Sequence, residues 1–280
     1  MKIAFVGGGN MAAALIAGLA GKLTPGANIH VVDPNPASLE ALQRQYGVTV
    51  AASVADGAAV AEAEVLVLAV KPQVMHEVTQ QLLPRLQAAQ AAGRAPLVLS
   101  IAAGIRAADL ARWLGGYQAI VRTMPNTPAL IGMGVTGMVA SAGVTAAQRE
   151  AADQILRAVG ATVWLDDESK IDAVTAVSGS GPAYVFYFIE AMQQAAEELG
   201  LTAEQGRQLA MATFTGAAQL ALQSPDPVPL LREKVTSKGG TTYAALTSME
   251  ASGVKAAIIA AVKAAAARGK ELGEQLGAAA

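Results

Sequence analysis

Along the first half of the chain, short runs of consecutive apolar residues alternate with stretches whose apolar positions recur at helical spacing. Lys2-Ile-Ala-Phe-Val6 opens the series. From Ile3 on it is apolar at every position, which is what a strand buried on both faces requires. Glycines follow, and residues 11–23 then read as a helix. Residues 29–32 form a second strand ending at Asp33, and residues 36–46 a second helix with Asn35 as its cap. Residues 65–70 are the clearest central strand, halted by Lys71-Pro72, and residues 97–101 and 119–121 supply two more. Strands alternating with helices predict an α/β fold built on a parallel, doubly wound sheet.

After Trp164-Leu165-Asp166-Asp167 the pattern changes to long Ala/Leu helical repeats with no convincing strand. The chain therefore divides near residue 167, into an α/β domain over 1–167 and an all-α domain over 168–280. Its main interruptions fall at residues 178–182, 224–227 and 237–242. The last Ala-rich stretch, 251–276, reads as a surface helix or an oligomer interface, and its composition is explained most simply by helix–helix packing. Residues 3–21 are uncharged, but three glycines and Asn10 interrupt them where a signal peptide stays apolar. Residues 173–189 are broken by Ser178-Gly179-Ser180-Gly181-Pro182 before they are long enough to span a bilayer. The expectation is a soluble protein with no membrane partner.

Composition narrows the chemistry. Hydrophobic residues make up 53% of the 280 positions and charged residues 15%, which excludes intrinsic disorder. Twenty basic residues against 22 acidic ones leave no electrostatic footprint for nucleic acid or an anionic membrane. With no cysteine there is no disulfide, thiol nucleophile or cysteine metal site, and two histidines, His30 and His76, make no zinc site. Both histidines read as structural, and no metal is expected. A reducing cytoplasm fits this composition.

The candidate chemistry lies in glycine- and hydroxyl-rich segments. Gly7-Gly8-Gly9-Asn10-Met11-Ala12 fits the dinucleotide fingerprint. There Gly7 would make the tight turn, Gly9 admit a pyrophosphate and Ala12 allow close helix–strand packing. The helix that follows presents its positive end to that anion. Asp33, somewhat over twenty residues on, stands where a carboxylate bonds the adenosine ribose and repels a 2′-phosphate. No Arg lies between it and Arg44, although Asn35 and Ser38 are candidate donors to such a phosphate, so NAD(H) and NADP(H) both remain open. Ala69-Val70-Lys71-Pro72 ends a central strand, where ligands of such sheets bind, and Ser100-Ile101-Ala102-Ala103-Gly104 ends the next with small residues suited to close approach. Met124-Pro125-Asn126-Thr127-Pro128 is too proline-rich for helix or central strand and reads as a loop. Ser178 to Tyr184 reads as a turn into a helix, and Ser237-Lys238-Gly239-Gly240-Thr241-Thr242 as an anion nest before another.

Taken in order, these segments resemble pyrroline-5-carboxylate reductases over essentially the whole chain. The resemblance implies reduction of 1-pyrroline-5-carboxylate to L-proline with NAD(P)H, the last step of proline biosynthesis. It implies a Rossmann-type domain followed by an all-α dimerisation domain, with a homodimer that often assembles into larger rings. Gly7, Gly8, Gly9, Asn10, Met11 and Ala12 would hold the pyrophosphate; Asp33 and Asn35 lie at the adenosine end. Ala69, Val70, Lys71 and Pro72, with Ile101, Ala102 and Ala103, would contact ribose and nicotinamide. Gly239, Gly240, Thr241 and Thr242 would bind the substrate carboxylate in a partner-shared cleft, and Ser178 would lie beneath the ring. Thr242 is the candidate for bonding the imine nitrogen. Lys238 departs from the family, which commonly has proline there, and Asp33 departs from its frequent NADPH preference. A hydroxyacid dehydrogenase would need an acid–base residue after the domain junction, where Lys170 is the nearest candidate. A dinucleotide-sensing module would leave the Gly-Gly-Thr-Thr segment without a role.

Overall fold

The computed structural model of the chain describes residues 1–278, the side chain of Ala58 excepted. Ala279 and Ala280, the end of the expected helical domain, lie outside the described residues. Eight strands form one sheet in the order β3-β2-β1-β4-β5-β6-β7-β8. They are β1 Ile3–Val6, β2 Ile29–Val32, β3 Thr49–Ala51, β4 Val65–Leu68, β5 Leu97–Ser100, β6 Ile120–Met124, β7 Gly134–Ala140 and β8 Gly160–Trp164. Helices α1 (Asn10–Leu19), α2 (Pro36–Tyr46), α3 (Met75–Ala91), α4 (Ala107–Trp113) and α5 (Ala146–Arg157) connect them. The helical region follows as α6 (Ile171–Val174), a π-helical turn Thr175–Gly179, α7 (Gly181–Glu198), α8 (Ala203–Gln223), α9 (Val228–Lys234), α10 (Thr241–Ala251) and α11 (Val254–Ala278).

Strands β1, β2, β4 and β5 are buried at every position. Their side chains alternate between two cores, one on each face of the sheet. Ile3 and Phe5 join Leu15, Ile16, Val65 and Val67 in one, while Ala4 and Val6 join Leu66, Leu68, Leu82 and Trp113 in the other. That two-sided burial is why these strands show no polar alternation.

Several expectations need correction. The sheet is mixed, because β7 runs antiparallel to β6. The connection between them, 125–133, is shorter than the dozen or so residues of a parallel crossover, so the chain must turn back. β8 is then parallel to β7 through the α5 crossover. Strands β3, β7 and β8 have no expected counterpart: β3 and β8 are half-exposed edges, and glycines interrupt β7. Gly137 of β7 is a packing requirement, since a Cβ there would lie 2.6 Å from Cγ1 of Val174. The first helix ends at Leu19 rather than residue 23, because Ala20 is extended and Gly21 takes φ +74°. Strand ends also move: β4 stops at Leu68 and β5 at Ser100, while β6 runs on to Met124.

The chain forms two compact units: residues 1–180 with the end of α11 from Ala265 onward, and Gly181–Ala264. Among the described residues, no single helix is long and apolar enough to cross a membrane, and no cluster of metal-ligating side chains occurs.

His30 is buried within β2, as expected. The Thr49 hydroxyl donates to the Ile29 carbonyl (3.3 Å) and so accepts from His30 Nδ1–H (2.9 Å), which leaves Nε2 buried without a partner. Burial therefore pushes the imidazole pKa below its ordinary value of 6.5. The neutral form is favoured in the folded state, so its stability is fully present above pH 6.5 and is lost as pH falls through the lowered value. The melting temperature is expected to drop between pH 7.5 and 5, and His30→Leu to flatten that drop. A melting curve with the same pH dependence in both proteins would contradict this role.

Candidate active site

The order β3-β2-β1-β4-β5-β6 places a topological switch point between β1 and β4, and ligands of doubly wound sheets bind beyond the carboxyl ends of the strands there. A crevice of about 540 Å³ opens at that point. Gly7, which leaves β1 with φ +106°, forms its floor. A Cβ on Gly7 would lie 2.5 Å from the Ala69 carbonyl oxygen, so only glycine lets the chain turn between β1 and β4. Gly7 N–H donates to Val32 O (2.8 Å), tying the turn to β2 as well.

Gly9 is the residue before α1. No side chain caps this helix, and a Cβ on Gly9 would meet nothing within 4 Å. The first turn of α1 thus presents uncapped N–H groups beside open space, which suits the pyrophosphate of a dinucleotide. Ala12 faces the other way, buried in the core between helix and strand.

Asp33 organises the turn that follows β1. One carboxylate oxygen accepts from Gly8 N–H (2.6 Å) and the other from Asn35 N–H (2.8 Å). Asn35 caps α2 by accepting from Ala37 N–H (3.1 Å), and Ser38 donates to the Gly8 carbonyl (2.7 Å). The fingerprint turn is therefore fastened to the start of α2 from both sides.

Of the residues expected at the cofactor, Gly7, Gly9, Asp33, Ala69, Val70 and Lys71 line this crevice together. Gly8 and Asn35 support it through the hydrogen bonds above, and Asn10 and Met11 lie in the first turn of α1. Pro72 opens a short 3-10 turn after Lys71. Ile101, Ala102 and Ala103 follow β5 and are not in the crevice lining; Ala102 is buried in the sheet core. Residues that sequence reasoning did not single out also line it: Ala52, Ser53 and Val54 after β3, and Glu77, Val78 and Gln81 of α3. Recognition of β3 would have pointed to the first three.

Ser178 sits in the π-helical turn rather than an open turn, and its hydroxyl donates to the Val174 carbonyl (2.9 Å). Asn126 donates to the Ser178 carbonyl (3.1 Å) and accepts from Val135 N–H (2.9 Å), pinning the proline-rich loop to this turn. In the second unit, Gly239 takes φ +76° and Gly240 N–H donates to Ser237 O (3.0 Å), closing a turn into α10. No side chain caps α10, and Thr241 and Thr242 are exposed in its first turn. This arrangement offers N–H groups and hydroxyls to a carboxylate.

Lys170 is unsuited to acid–base work. Its ammonium is paired with Asp166 (2.5 Å) on an exposed surface, which raises its pKa above the ordinary lysine value.

The family profile described as pyrroline-5-carboxylate reductase dimerisation matches residues 168–272. One described as NADP oxidoreductase, coenzyme F420-dependent, matches residues 2–104. The pyrroline-5-carboxylate reductase of Pseudomonas aeruginosa is 49% identical over 276 residues, covering 99% of this chain and 98% of that protein. The chain belongs to the pyrroline-5-carboxylate reductase family. A solved pyrroline-5-carboxylate reductase from Coxiella burnetii superposes with a TM-score of 0.89 at 39% identity, over 97% of this chain and 98% of that one. The Plasmodium falciparum pyrroline carboxylate reductase, solved with NADP bound, gives a TM-score of 0.84 at 28% identity over 98% of both chains. Family membership accounts for the arrangement above: a sheet unit whose start matches an NADP oxidoreductase profile and a helical region that matches a dimerisation profile.

Proposed function

We propose that this protein reduces 1-pyrroline-5-carboxylate to L-proline, with NADH or NADPH as the reductant. Similarity to reductases of this substrate along 99% of the chain carries the reading. The reaction adds a hydride to the carbon of a cyclic C=N bond whose nitrogen is protonated, giving a secondary amine. When bound, the reduced nicotinamide supplies that hydride. The protein's task is then to position two molecules, which needs no strong acid and suits a chain without cysteine.

In this reading the backbone from Gly7 to Ala12 holds the pyrophosphate, with the Ala12 side chain packed in the core, Asp33 and Asn35 hold the adenosine ribose, and Ala69 to Pro72 and Ile101 to Ala103 the nicotinamide half. Gly239, Gly240, Thr241 and Thr242 hold the substrate carboxylate at the start of α10, Ser178 lies beneath the ring, and the Thr242 hydroxyl bonds the imine nitrogen. The division of labour falls at residue 167, with dinucleotide binding before it and dimerisation and substrate binding after it.

Dimerisation has a physical motive. Helices α7 to α10 bury only Ile189, Gly206 and Ala210, while Leu199, Leu222 and Tyr187 are 85%, 78% and 71% exposed. Apolar faces left this open need a second subunit to remove them from water. A larger ring of dimers is the finer form of the proposal, and light scattering in solution separates it from a simple dimer.

Loss of nicotinamide absorbance on adding pyrroline-5-carboxylate, with proline as the product, tests the reaction. Thr242→Ala is expected to lower turnover by about 100-fold or more, the scale of a lost transition-state hydrogen bond, with the cofactor Kd unchanged. A Thr242→Ala protein with full turnover would remove that residue from the site, and a folded wild type that binds cofactor without making proline would remove the reaction.

A further inference from the structure

The adenosine end of the crevice is built almost entirely from acceptors and from donors that are already engaged. Besides Asp33, the candidate side chains for a 2′-phosphate are Ser38, Asn35 and Ser53. The Ser38 hydroxyl donates to Gly8 O (2.7 Å), and the Ser53 hydroxyl donates to the Asp56 carboxylate (2.6 Å). Asn35 directs its oxygen to Ala37 N–H, which leaves only its neutral amide Nδ2. Pro34 and Pro36 flank Asn35 and have no N–H to offer.

Charge points the same way. The crevice lining carries two carboxylates, Asp33 and Glu77, against one cation, Lys71. Lys71 follows β4, and β1 stands between β4 and β2. Two strand spacings, about 10 Å, therefore separate the backbone at Lys71 from the end of β2 where Asp33 lies. The Asp33 carboxylate cannot swing aside for a second anion, because Gly8 N–H and Asn35 N–H hold both of its oxygens. Each of those oxygens keeps a further lone pair for a ribose hydroxyl.

From this geometry we infer that Asp33 is the specificity-determining residue of the cofactor site and that the protein selects NADH over NADPH. The inference rests on the proposed reading of the crevice as a dinucleotide site. A 2′-phosphate would bring two negative charges to a fixed carboxylate, with Lys71 as the one cation in the crevice lining, whereas a 2′-hydroxyl donates to that carboxylate.

The test is binding rather than turnover. Dissociation constants are measured calorimetrically for NADH and NADPH, and for ADP-ribose and its 2′-phosphate, which lack the nicotinamide. The wild type is expected to bind each 2′-hydroxyl ligand at least tenfold more tightly than its phosphorylated counterpart. Asp33→Ser is expected to shrink that ratio at least fivefold, mainly by tightening the phosphorylated pair. Equal or tighter binding of the phosphorylated ligands by the wild type overturns the inference, as does an unchanged ratio in a folded Asp33→Ser protein. If that variant does not fold, Asn35→Arg gives the second arm: a guanidinium beside the site must raise affinity for the 2′-phosphates specifically, and no gain counts against the inference. A protein that discriminates among these ligands yet makes no proline would refute the proposed reaction and leave the selectivity standing. Failure to bind any of them would refute the dinucleotide reading itself.

Discussion

Gly7→Ala is expected to weaken dinucleotide binding by more than tenfold and to cost about 3 kcal/mol of stability, the upper part of the range for a forced overpacking. The added Cβ would meet Ala69 O at 2.5 Å, Ala69 C at 2.6 Å and Val70 N at 3.0 Å. All three are backbone atoms of the segment leaving β4, so no side-chain rotation relieves the contact. That segment cannot retreat either, because Ala69 N–H donates to Val6 O (2.8 Å). The positive φ of Gly7 adds backbone strain for any L-residue. Gly9→Ala is the informative contrast: its φ is −71° and its Cβ would meet nothing within 4 Å, so the folded protein tolerates it. The methyl group would nevertheless stand beside the uncapped turn of α1. Gly9→Ala is therefore expected to keep the wild-type melting temperature and lose cofactor affinity, while Gly7→Ala loses both. Thermal denaturation with and without NADH separates the two. A Gly7→Ala protein with wild-type stability would show that the turn is not constrained as described.

Glu168→Ala is expected to destabilise the sheet unit by about 3 kcal/mol, the low end of the cost of leaving a buried charge unpaired. Arg122 lies inside β6 at 4% exposure and pairs with Glu168 (2.8 Å), while its Nε is buried with no partner. The same Glu168 oxygen accepts from Ala107 N–H (2.7 Å) at the start of α4. One carboxylate thus ties the helical turn before α6 to a central strand and to a helix terminus. Removing it leaves the Arg122 guanidinium without its ion-pair partner. Replacing both partners, as in Arg122→Met with Glu168→Met, is expected to recover most of the loss, because the desolvation cost of the charge disappears with the charge. Urea denaturation of the single and double variants measures this. If Glu168→Ala melts like the wild type, the pair contributes nothing and Arg122 is adequately solvated.

The legible parts of the fold were those where local chemistry leaves one choice. Pro36–Tyr46 forms the helix the pattern predicts, with Asn35 capping it, since proline at the first position and an Asn cap act within a few residues. The largely apolar runs of β1, β2, β4 and β5 were equally readable, because a strand covered on both faces shows no polar alternation. The edge strand β3 and the glycine-bearing β7 were not. Their strand character comes from ladder partners rather than from side-chain preference, and a partner is not written in the local sequence.

The site divides in the same way. Gly7, Gly9 and Asp33 could be named from the fingerprint alone, and they line one crevice, where the turn at Gly7 admits only glycine. Ser53 and Glu77 join them in the crevice only because β3 and α3 bring their ends to the switch point. Arg122 lies inside β6 because the strand runs on to Met124, and its partner Glu168 is 46 residues away. By itself the sequence determined the alternating α/β order, the glycine turn after β1, the helical second half and the family resemblance. The tertiary structure alone decided the reversal of β7, the π-helical turn at Ser178 and the engagement of Ser38, Ser53 and Asp33. The first set follows from local backbone and burial rules. The second depends on which distant groups meet, and hydrogen-bond partners tens of residues apart are fixed only when the chain has packed.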